Sequence, residues 1–270
     1  MNHLVDTHAH LYYPMFDRDR ADMLQRAKNN GVTQIYLPNV DAESMEMLVA
    51  LVQQYPQQCK GMAGVHPCSV KADFETELQQ AHQELEQTRI PIYGIGETGL
   101  DYYWDLTFVE QQKESLKKHI SWAKKYNLPI ILHTRNAFQD TFDLIAQHHT
   151  PELKGIFHCF SDDLQAARQV IELGNFYMGF GGYITYKKSI LPAIIKEIPL
   201  EHIVLETDSP YLAPEPYRSA KDSKQKRNES AHIKIIAQYI ADIKGISIEE
   251  VSAITNNNVT NIFSNCHQNQ

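Results

Sequence analysis

Short apolar runs alternate with longer amphipathic stretches along most of the chain. The longer stretches space their apolar residues as one face of a helix does, for example in Phe108–Tyr126 and Ala137–His149. Because short strands that alternate with helices build βαβ units, this pattern predicts a parallel sheet. The predicted strands are His3–Val5, Gln34–Leu37, Gly61–Val65, Ile92–Ile95, Ile130–Leu132, Gly155–Phe157, Asn175–Gly179 and Ile203–Leu205.

The number of predicted strands points to a barrel. Eight βα units in 270 residues fit a closed (β/α)8 TIM barrel, although an open doubly wound sheet shows the same alternation. Two further helices are predicted at Ser230–Ile243 and Ile248–Asn261. Ser209–Asn228, which is rich in proline and lysine, predicts a long polar loop after the eighth strand. No repeat or linker divides the sequence, which predicts a single domain over residues 1–270.

Composition and charge restrict the class of function. The formal net charge is −8 with histidine neutral, which argues against a protein that coats duplex DNA by neutralising its phosphates. No apolar stretch approaches the roughly 20 residues that span a bilayer, and the first residues, MNHLVDTHAHLYYP, lack the basic region of a signal peptide. The four cysteines form no CxxC pair. We therefore expect a reduced, cytoplasmic enzyme with no membrane partner, and a monomer without an obligate protein partner.

Metal-ligating side chains follow five of the predicted strands. His8 and His10 come directly after the first strand, where alternate side chains share a face and can bind one ion together. In a barrel, the carboxyl ends of all strands meet at one mouth, where barrel enzymes keep their active sites. The pattern therefore predicts a site for two divalent cations at this mouth. The candidate ligands are His8, His10, Glu97, His133, His158 and Asp208.

Seven motifs occur in a specific order along the chain. They are DTHAH (Asp6–His10), GVHP (Gly64–Pro67), GIGETGLDYY (Gly94–Tyr103), HTR (His133–Arg135), HCFS (His158–Ser161), ETDSPYL (Glu206–Leu212) and KRNE (Lys226–Glu229). In this order the chain resembles the TatD family of metal-dependent hydrolases, TatD-type deoxyribonucleases with an amidohydrolase-like barrel. The resemblance runs essentially end to end. The chain departs from the family pattern at Asp162, at Ser230 and in a long stretch before Arg227. None of these is a predicted metal ligand, and the departures concern the rim of the site and therefore the substrate preference.

The resemblance implies how the ligands divide between two cations. One cation would be held by His8, His10, Glu97 and Asp208. The other would be held by Glu97, His133 and His158, so that the carboxylate of Glu97 bridges the two. Histidine ligands favour Zn²⁺, whereas carboxylate-rich phosphodiesterase sites often use Mg²⁺ or Mn²⁺, and the sequence leaves the metal open.

The expected chemistry is hydrolysis by a water that the cations activate. Asp208 is the candidate to move the proton while binding metal, and Glu97 is the second candidate catalytic residue. His66 and Arg135 are candidates to bind a substrate phosphate. Their open alternatives are a structural histidine beside a proline turn and a salt bridge to a barrel carboxylate. Glu206 alternates with Asp208 and is expected to orient a ligand or a water without binding metal itself.

Three further features flank these motifs. The aromatic residues of Tyr102–Trp104 either stack on a base or pack against the next helix. The basic patch either steers an anionic strand towards the mouth or is a solvated loop, and its members are Lys221, Lys224, Lys226 and Arg227. Cys159 is rejected as a nucleophile, because its neighbour His158 is better used as a ligand and no Cys–His–Asn order is present.

Three functions remain open from the sequence. The first is a phosphodiesterase, a 3′–5′ exonuclease of the TatD deoxyribonuclease type that acts on nucleic-acid strand ends or on a small phosphodiester. The second is a metal-dependent amide or ester hydrolase, such as a D-aminoacyl-tRNA deacylase, because the same metals polarise a carbonyl as well as a phosphoryl oxygen. The third is a metal-binding scaffold without turnover. The complete set of expected ligands argues against this third function.

Overall fold

A computed structural model describes residues 3–87, 89–222 and 226–264. The strands are β1 (Leu4–Asp6), β2 (Val32–Leu37), β3 (Cys59–Ala63), β4 (Ile92–Asp101), β5 (Ile130–Arg135), β6 (Gly155–Phe157), β7 (Phe176–Phe180) and β8 (Ile203–Leu205). The helices are α1 (Arg20–Asn29), α2 (Ala42–Gln54), α3 (Phe74–Gln87), α4 (Val109–Tyr126), α5 (Phe138–Gln147), α6 (Leu164–Glu172), α7 (Leu191–Glu197), α8 (Ile233–Lys244) and α9 (Ile248–Phe263). Strands and helices alternate from β1 to β8, as the apolar pattern predicts.

The eight strands form one parallel sheet that closes on itself. Each strand pairs with the next in chain order, from β1 to β8. The seam between β8 and β1 is joined just beyond the strands: Thr7 N–H donates to Leu205 O (3.0 Å), and Asp208 N–H donates to His8 O (2.9 Å). The TIM barrel is therefore confirmed, and the open doubly wound alternative is excluded.

The barrel interior is filled by one buried side chain from every strand. These residues are Val5, Tyr36, Met62, Tyr93, Ile131, Ile156, Tyr177 and Val204. Helix α9 adds Val259, Ile262 and Phe263 to the same cluster. Asn258 of α9 also donates to Leu200 O and Ile203 O at the start of β8, both at 2.8 Å. Helix α9 thus closes the amino-terminal end of the barrel, and the opposite end holds the candidate ligands.

Strands β4 and β5 extend further than the apolar runs predict. The apolar run of β4 ends at Ile95, but the strand continues to Asp101 because its main chain keeps pairing with β5. Gly99 allows the close approach of the two strands: a Cβ there would lie 2.0 Å from His133 O, and its φ is +142°. Glu97 consequently lies inside a strand and not at its end.

The two helices predicted after the barrel are present as α8 and α9. A short 3-10 turn, Ser230–His232, precedes α8, and the described residues of the loop Ser209–Asn228 form neither an α-helix nor a strand. Within the described residues, every helix is too short or too polar to cross a bilayer.

Candidate metal centre and active-site mouth

Four of the predicted ligands surround one point at the mouth. His8 Nε2 lies 3.2 Å from His10 Nε2 and 3.1 Å from Glu97 Oε2. His10 Nε2 lies 3.5 Å from Glu97 Oε2 and also 3.5 Å from Asp208 Oδ1. Ligands on a tetrahedral Zn²⁺, at bonds of about 2.0–2.1 Å, are about 3.3 Å apart. The spacing of these atoms therefore fits a divalent cation bound between them.

The second oxygen of Glu97 faces other histidines. Glu97 Oε1 lies 3.0 Å from His133 Nδ1, 3.4 Å from His66 Nε2 and 3.8 Å from His158 Nε2. The His158 ring stacks on that of His8, with 3.3 Å between the ring centroids, so it stands between the two groups. The two oxygens of Glu97 thus point at different sets of nitrogens, as a bridging carboxylate requires.

Hydrogen bonds behind two of the rings determine which nitrogen is free for a metal. The Tyr12 hydroxyl donates to Pro38 O (2.8 Å) and therefore accepts from His10 Nδ1 (2.9 Å). Asp101 Oδ2 accepts from His133 Nε2 (2.9 Å). Each ring is left with a lone pair on its other nitrogen, which faces the site, and the partner fixes the ring orientation.

In His66, unlike in His10 and His133, the ring nitrogen that faces the site carries the proton. Its Nδ1 accepts from the Cys68 backbone N–H at 3.1 Å, so the ring proton lies on Nε2 and faces Glu97 and His133. A protonated ring nitrogen donates a hydrogen bond and cannot bind a metal. This arrangement fits the predicted role of His66 as a donor to substrate.

Glu206 lies behind His158. Its Oε1 accepts from the Cys159 backbone N–H (2.6 Å) and lies 3.1 Å from His158 Nδ1. Gly179 makes room for this carboxylate, since a Cβ there would lie 2.1 Å from Glu206 Oε2. Burial and the surrounding carboxylates raise the pKa of the Cys159 thiol well above its ordinary value. The thiol stays protonated, which agrees with its rejection as a nucleophile.

The electrostatics of the site favour a bound cation. Burial opposes ionisation of Glu97, but His66, whose Nε2–H faces this carboxylate, helps to bring its pKa well below the ordinary value. Burial likewise opposes ionisation of Asp208, but the hydrogen bond from His10 helps to lower its pKa. Burial lowers the pKa of His8 to about 4, so its imidazole is neutral, as a metal ligand must be. Two ionised carboxylates beside the neutral imidazole of His8 form a suitable donor set for a divalent cation.

The backbone around two ligands is held by specific contacts. Asn39 brackets Glu97: Asn39 N–H donates to Gly96 O (3.1 Å), and Glu97 N–H donates to Asn39 O (2.9 Å). Asp208 adopts φ = +56°, a conformation uncommon for a residue with a side chain. The hydrogen bond from its N–H to His8 O and the one from Tyr211 N–H to Asp208 O (2.8 Å) maintain this conformation.

Three supporting residues escaped the sequence analysis. They are Tyr12, Asn39 and Asp101. Asp101 lies in β4 four residues after Glu97, and Tyr12 lies in the turn after β1, two residues after His10, so spacing along the chain could have identified both. Asn39 lies on a different strand end, and no local pattern connects it with Glu97.

Five of the six predicted ligands, all except His8, line a cavity of about 590 Å³, which we name the mouth cavity and which Arg135, Trp104 and Tyr211 also line. The Arg135 guanidinium lies 3.8 Å from the ring centroid of Tyr103 and 5.2 Å from that of Trp104. Among the described residues it makes no ion pair, which excludes the predicted salt bridge with any of them. Trp104 is 68% exposed and so is free to stack. Tyr102, in contrast, is half-buried and donates to Asp140 (2.7 Å).

The residues of the predicted basic patch differ in their surroundings. Lys221 and Lys226 are exposed, and Lys224 lies outside the described residues. Arg227 is held by Asp19 through bonds of 2.8 and 2.7 Å. The described members of the patch do not line the mouth cavity.

Comparison with known proteins agrees with this site. The family model "TatD related DNase" matches residues 5–264. The "uncharacterized metal-dependent hydrolase YabD" of Bacillus subtilis is 35% identical over 261 residues, covering 96% of this chain and 98% of its own. The human "deoxyribonuclease TATDN3" is 33% identical over 279 residues, which cover 96% of this chain and 94% of the human protein. The crystal structure of the TatD homologue YjjV from Escherichia coli superposes with a TM-score of 0.88 at 29% identity, covering 97% and 98%. The chain therefore belongs to the TatD family of metal-dependent hydrolases.

Proposed function

We propose that this hydrolase is a deoxyribonuclease that removes nucleotides from the 3′ ends of single strands. The observation that carries the proposal is the position of Arg135. Its side chain is exposed in the mouth cavity, and its guanidinium lies over two aromatic rings. It makes no ion pair with the described residues. A guanidinium in this state can bind a phosphate bidentately while the rings stack on a base. The name of the family model and that of the human relative support the same substrate class.

The donor set suits two divalent cations. Bound there, such cations would lower the pKa of a water and offset the charge of the phosphate oxygens. His8, His10, Glu97 and Asp208 would hold one of them. Glu97, His133 and His158 would hold the other. His66 would donate its Nε2 proton to a phosphate oxygen.

Asp208 is proposed to accept the proton from the attacking water. Its side chain is 15% exposed against 3% for Glu97, so it is the carboxylate that solvent reaches. Its lowered pKa keeps the carboxylate ionised, so that an oxygen without a proton faces the site. Asp208→Asn should therefore lower kcat far more than it raises KM for an oligonucleotide. Equal effects on both constants would contradict the proton-transfer role.

The experiment that tests the proposed function is turnover of the metal-reconstituted protein on a substrate panel. The panel contains single-stranded DNA and RNA labelled at the 5′ or the 3′ end, a misacylated tRNA, a lactone and an amide. Each is assayed with Mg²⁺, Mn²⁺ or Zn²⁺, and again with EDTA. We expect stepwise shortening of DNA from the 3′ end that EDTA and His133→Ala abolish, since the donor set then holds fewer cations.

Arg135 provides the second arm of this experiment. Because a hydrogen bond to a charged group contributes about 1.5–3 kcal/mol, Arg135→Ala should raise KM for DNA tenfold or more. The matched control is Arg168→Ala, which removes an exposed arginine of α6 that makes no ion pair with the described residues. Cleavage of the tRNA ester, lactone or amide without nucleolysis would replace the proposed substrate. Metal binding without any turnover would favour the scaffold.

A further inference from the structure

A second and larger cavity opens beside the mouth. It has a volume of about 900 Å³ and lies between α1 and the segment that leads into α8, and we name it the α1–α8 cavity. Met15 lines it, whereas Tyr13 lines the mouth cavity. Two residues of chain span at most about 7 Å. The two cavities are therefore neighbours, with Pro14 between them.

The α1–α8 cavity carries an excess of positive charge. Its cationic residues are Arg18, Arg26, Arg227 and Lys234. Of the described residues, only two carboxylates, those of Asp19 and Glu229, line the same walls. On a protein with a net charge of −8, this is a local surface of the opposite sign.

Two of the arginines occupy both carboxylates. Arg26 forms a bidentate contact with Glu229 (2.9 and 2.7 Å) and also contacts Asp19 Oδ2 (3.0 Å). Arg227 binds Asp19 through both terminal nitrogens, at 2.8 and 2.7 Å. The hydrogen bonds from these arginines lower the pKa of Asp19 to about 2. The network holds the wall of the cavity in place and leaves these carboxylates already engaged.

Arg18 and Lys234 are the remaining cations. Both are exposed, and neither makes an ion pair with another described residue. Between the two walls, the Tyr217 ring lies against that of His232, with 4.1 Å between the centroids, and Tyr217 is itself 36% exposed. Free cations next to an accessible aromatic face are the features by which proteins bind a single strand without reading its sequence.

We propose that the α1–α8 cavity binds the phosphates of a single strand whose end is held in the mouth. This inference rests on the proposed function, which supplies the strand end. Arg18 and Lys234 contact backbone phosphates, and Tyr217 offers a surface for a base. The cavity thereby increases affinity for strands that are long enough to extend past Pro14, and a dinucleotide does not use it.

The test compares substrates of two lengths. Turnover of a thymidylate dodecamer and of a thymidylate dinucleotide is measured for the metal-loaded wild type and for Arg18→Ala/Lys234→Ala. The double variant should raise KM for the dodecamer about tenfold and leave kcat and the dinucleotide unaffected. Because each phosphate contact of a single strand contributes about 0.7 to the salt slope, the slope of dodecamer affinity should fall by about 1.4. The matched control is Lys118→Ala/Arg168→Ala, which removes two exposed cations outside both cavities.

Binding of a fluorescent dodecamer, measured by anisotropy in EDTA, separates this inference from the proposed function. Weaker binding by Arg18→Ala/Lys234→Ala, with no loss in the control variant, supports the inference. It does so even if the wild type hydrolyses no nucleic acid and the proposed function fails. Equal effects on the dodecamer and the dinucleotide would overturn it. So would a loss in the control variant as large as that in the double variant, or a wild type that does not bind the dodecamer.

Discussion

At the residue scale, the site depends on which nitrogen of each imidazole carries the proton. The alternation of His8 and His10 places two rings at one ion, but the Tyr12 hydroxyl behind His10 determines that Nε2 is the free nitrogen. Asp101 does the same for His133, with the opposite result: Nδ1 is free. Substitution of the residue that accepts the hydrogen bond from such a ring should therefore weaken metal binding, although every ligand is still present.

Asp101→Asn tests this dependence. The variant keeps the size of the side chain but loses the charge that holds His133 Nε2–H. We expect metal affinity and activity to fall by about 10–100-fold, the usual effect of removing a carboxylate behind a metal-binding histidine. Titration with Zn²⁺ and turnover on the preferred substrate provide the measurements. Asp143→Asn, an exposed change on α5, should match the wild type, and an Asp101→Asn protein with wild-type affinity would refute the argument.

At the scale of elements, helix α4 holds the loop that carries His66. His119 of α4 is fully buried, and its Nε2 accepts from Val65 N–H (3.0 Å) while Nδ1–H donates to Ser115 O (2.7 Å). Both contacts require the neutral ring, and burial lowers its pKa from 6.5 to about 4. Protonation of His119 is thus incompatible with the folded arrangement of α4 and the loop after β3.

The stability of the protein should consequently fall in mild acid. Above pH 6.5 His119 is neutral in both states; between pH 6.5 and about 4 only the unfolded state binds the proton, so the free energy of unfolding decreases. The decrease amounts to at most about 1.4 kcal/mol per pH unit. Urea unfolding of the metal-free protein across this range should show a smaller slope for His119→Gln than for the wild type. His149→Gln, at an exposed ring, should keep the wild-type slope, and identical slopes for all three proteins would exclude the effect.

At the scale of the whole molecule, the two ends of the barrel have different tasks. Helix α9 fills the amino-terminal end with apolar side chains, whereas charged and polar groups gather at the other. The residues that form the site and the residues of α9 that stabilise the barrel are thus different residues at opposite ends.

Ile262→Ala should therefore affect stability and not chemistry. The side chain is fully buried in the barrel interior, and an Ile→Ala change in such a position costs about 2–5 kcal/mol. The midpoint of urea unfolding should fall accordingly, while kcat per folded molecule stays near the wild type. Asn257→Ala, on the exposed side of α9, is the control. A loss of kcat with unchanged stability would show that the two ends are coupled.

Local pattern was sufficient for the alternation of strands and helices and for the types of the ligand residues. Both depend on near neighbours: strands and helices follow the spacing of apolar residues, and ligands such as His133 and His158 come directly after apolar runs. The motifs were also sufficient for the family, which the family model and the relatives confirm.

Folding in three dimensions was needed for everything that joins distant segments. The extension of β4 to Asp101 arises from pairing with β5, which an apolar run does not reveal. The proton positions of His10 and His66 depend on partners that only the fold places behind the rings. The absence of an ion pair between Arg135 and any described residue is likewise a property of its surroundings. Periodicity reports what a residue's sequence neighbours require, and long-range contacts decide the protonation, orientation and accessibility on which the chemistry depends.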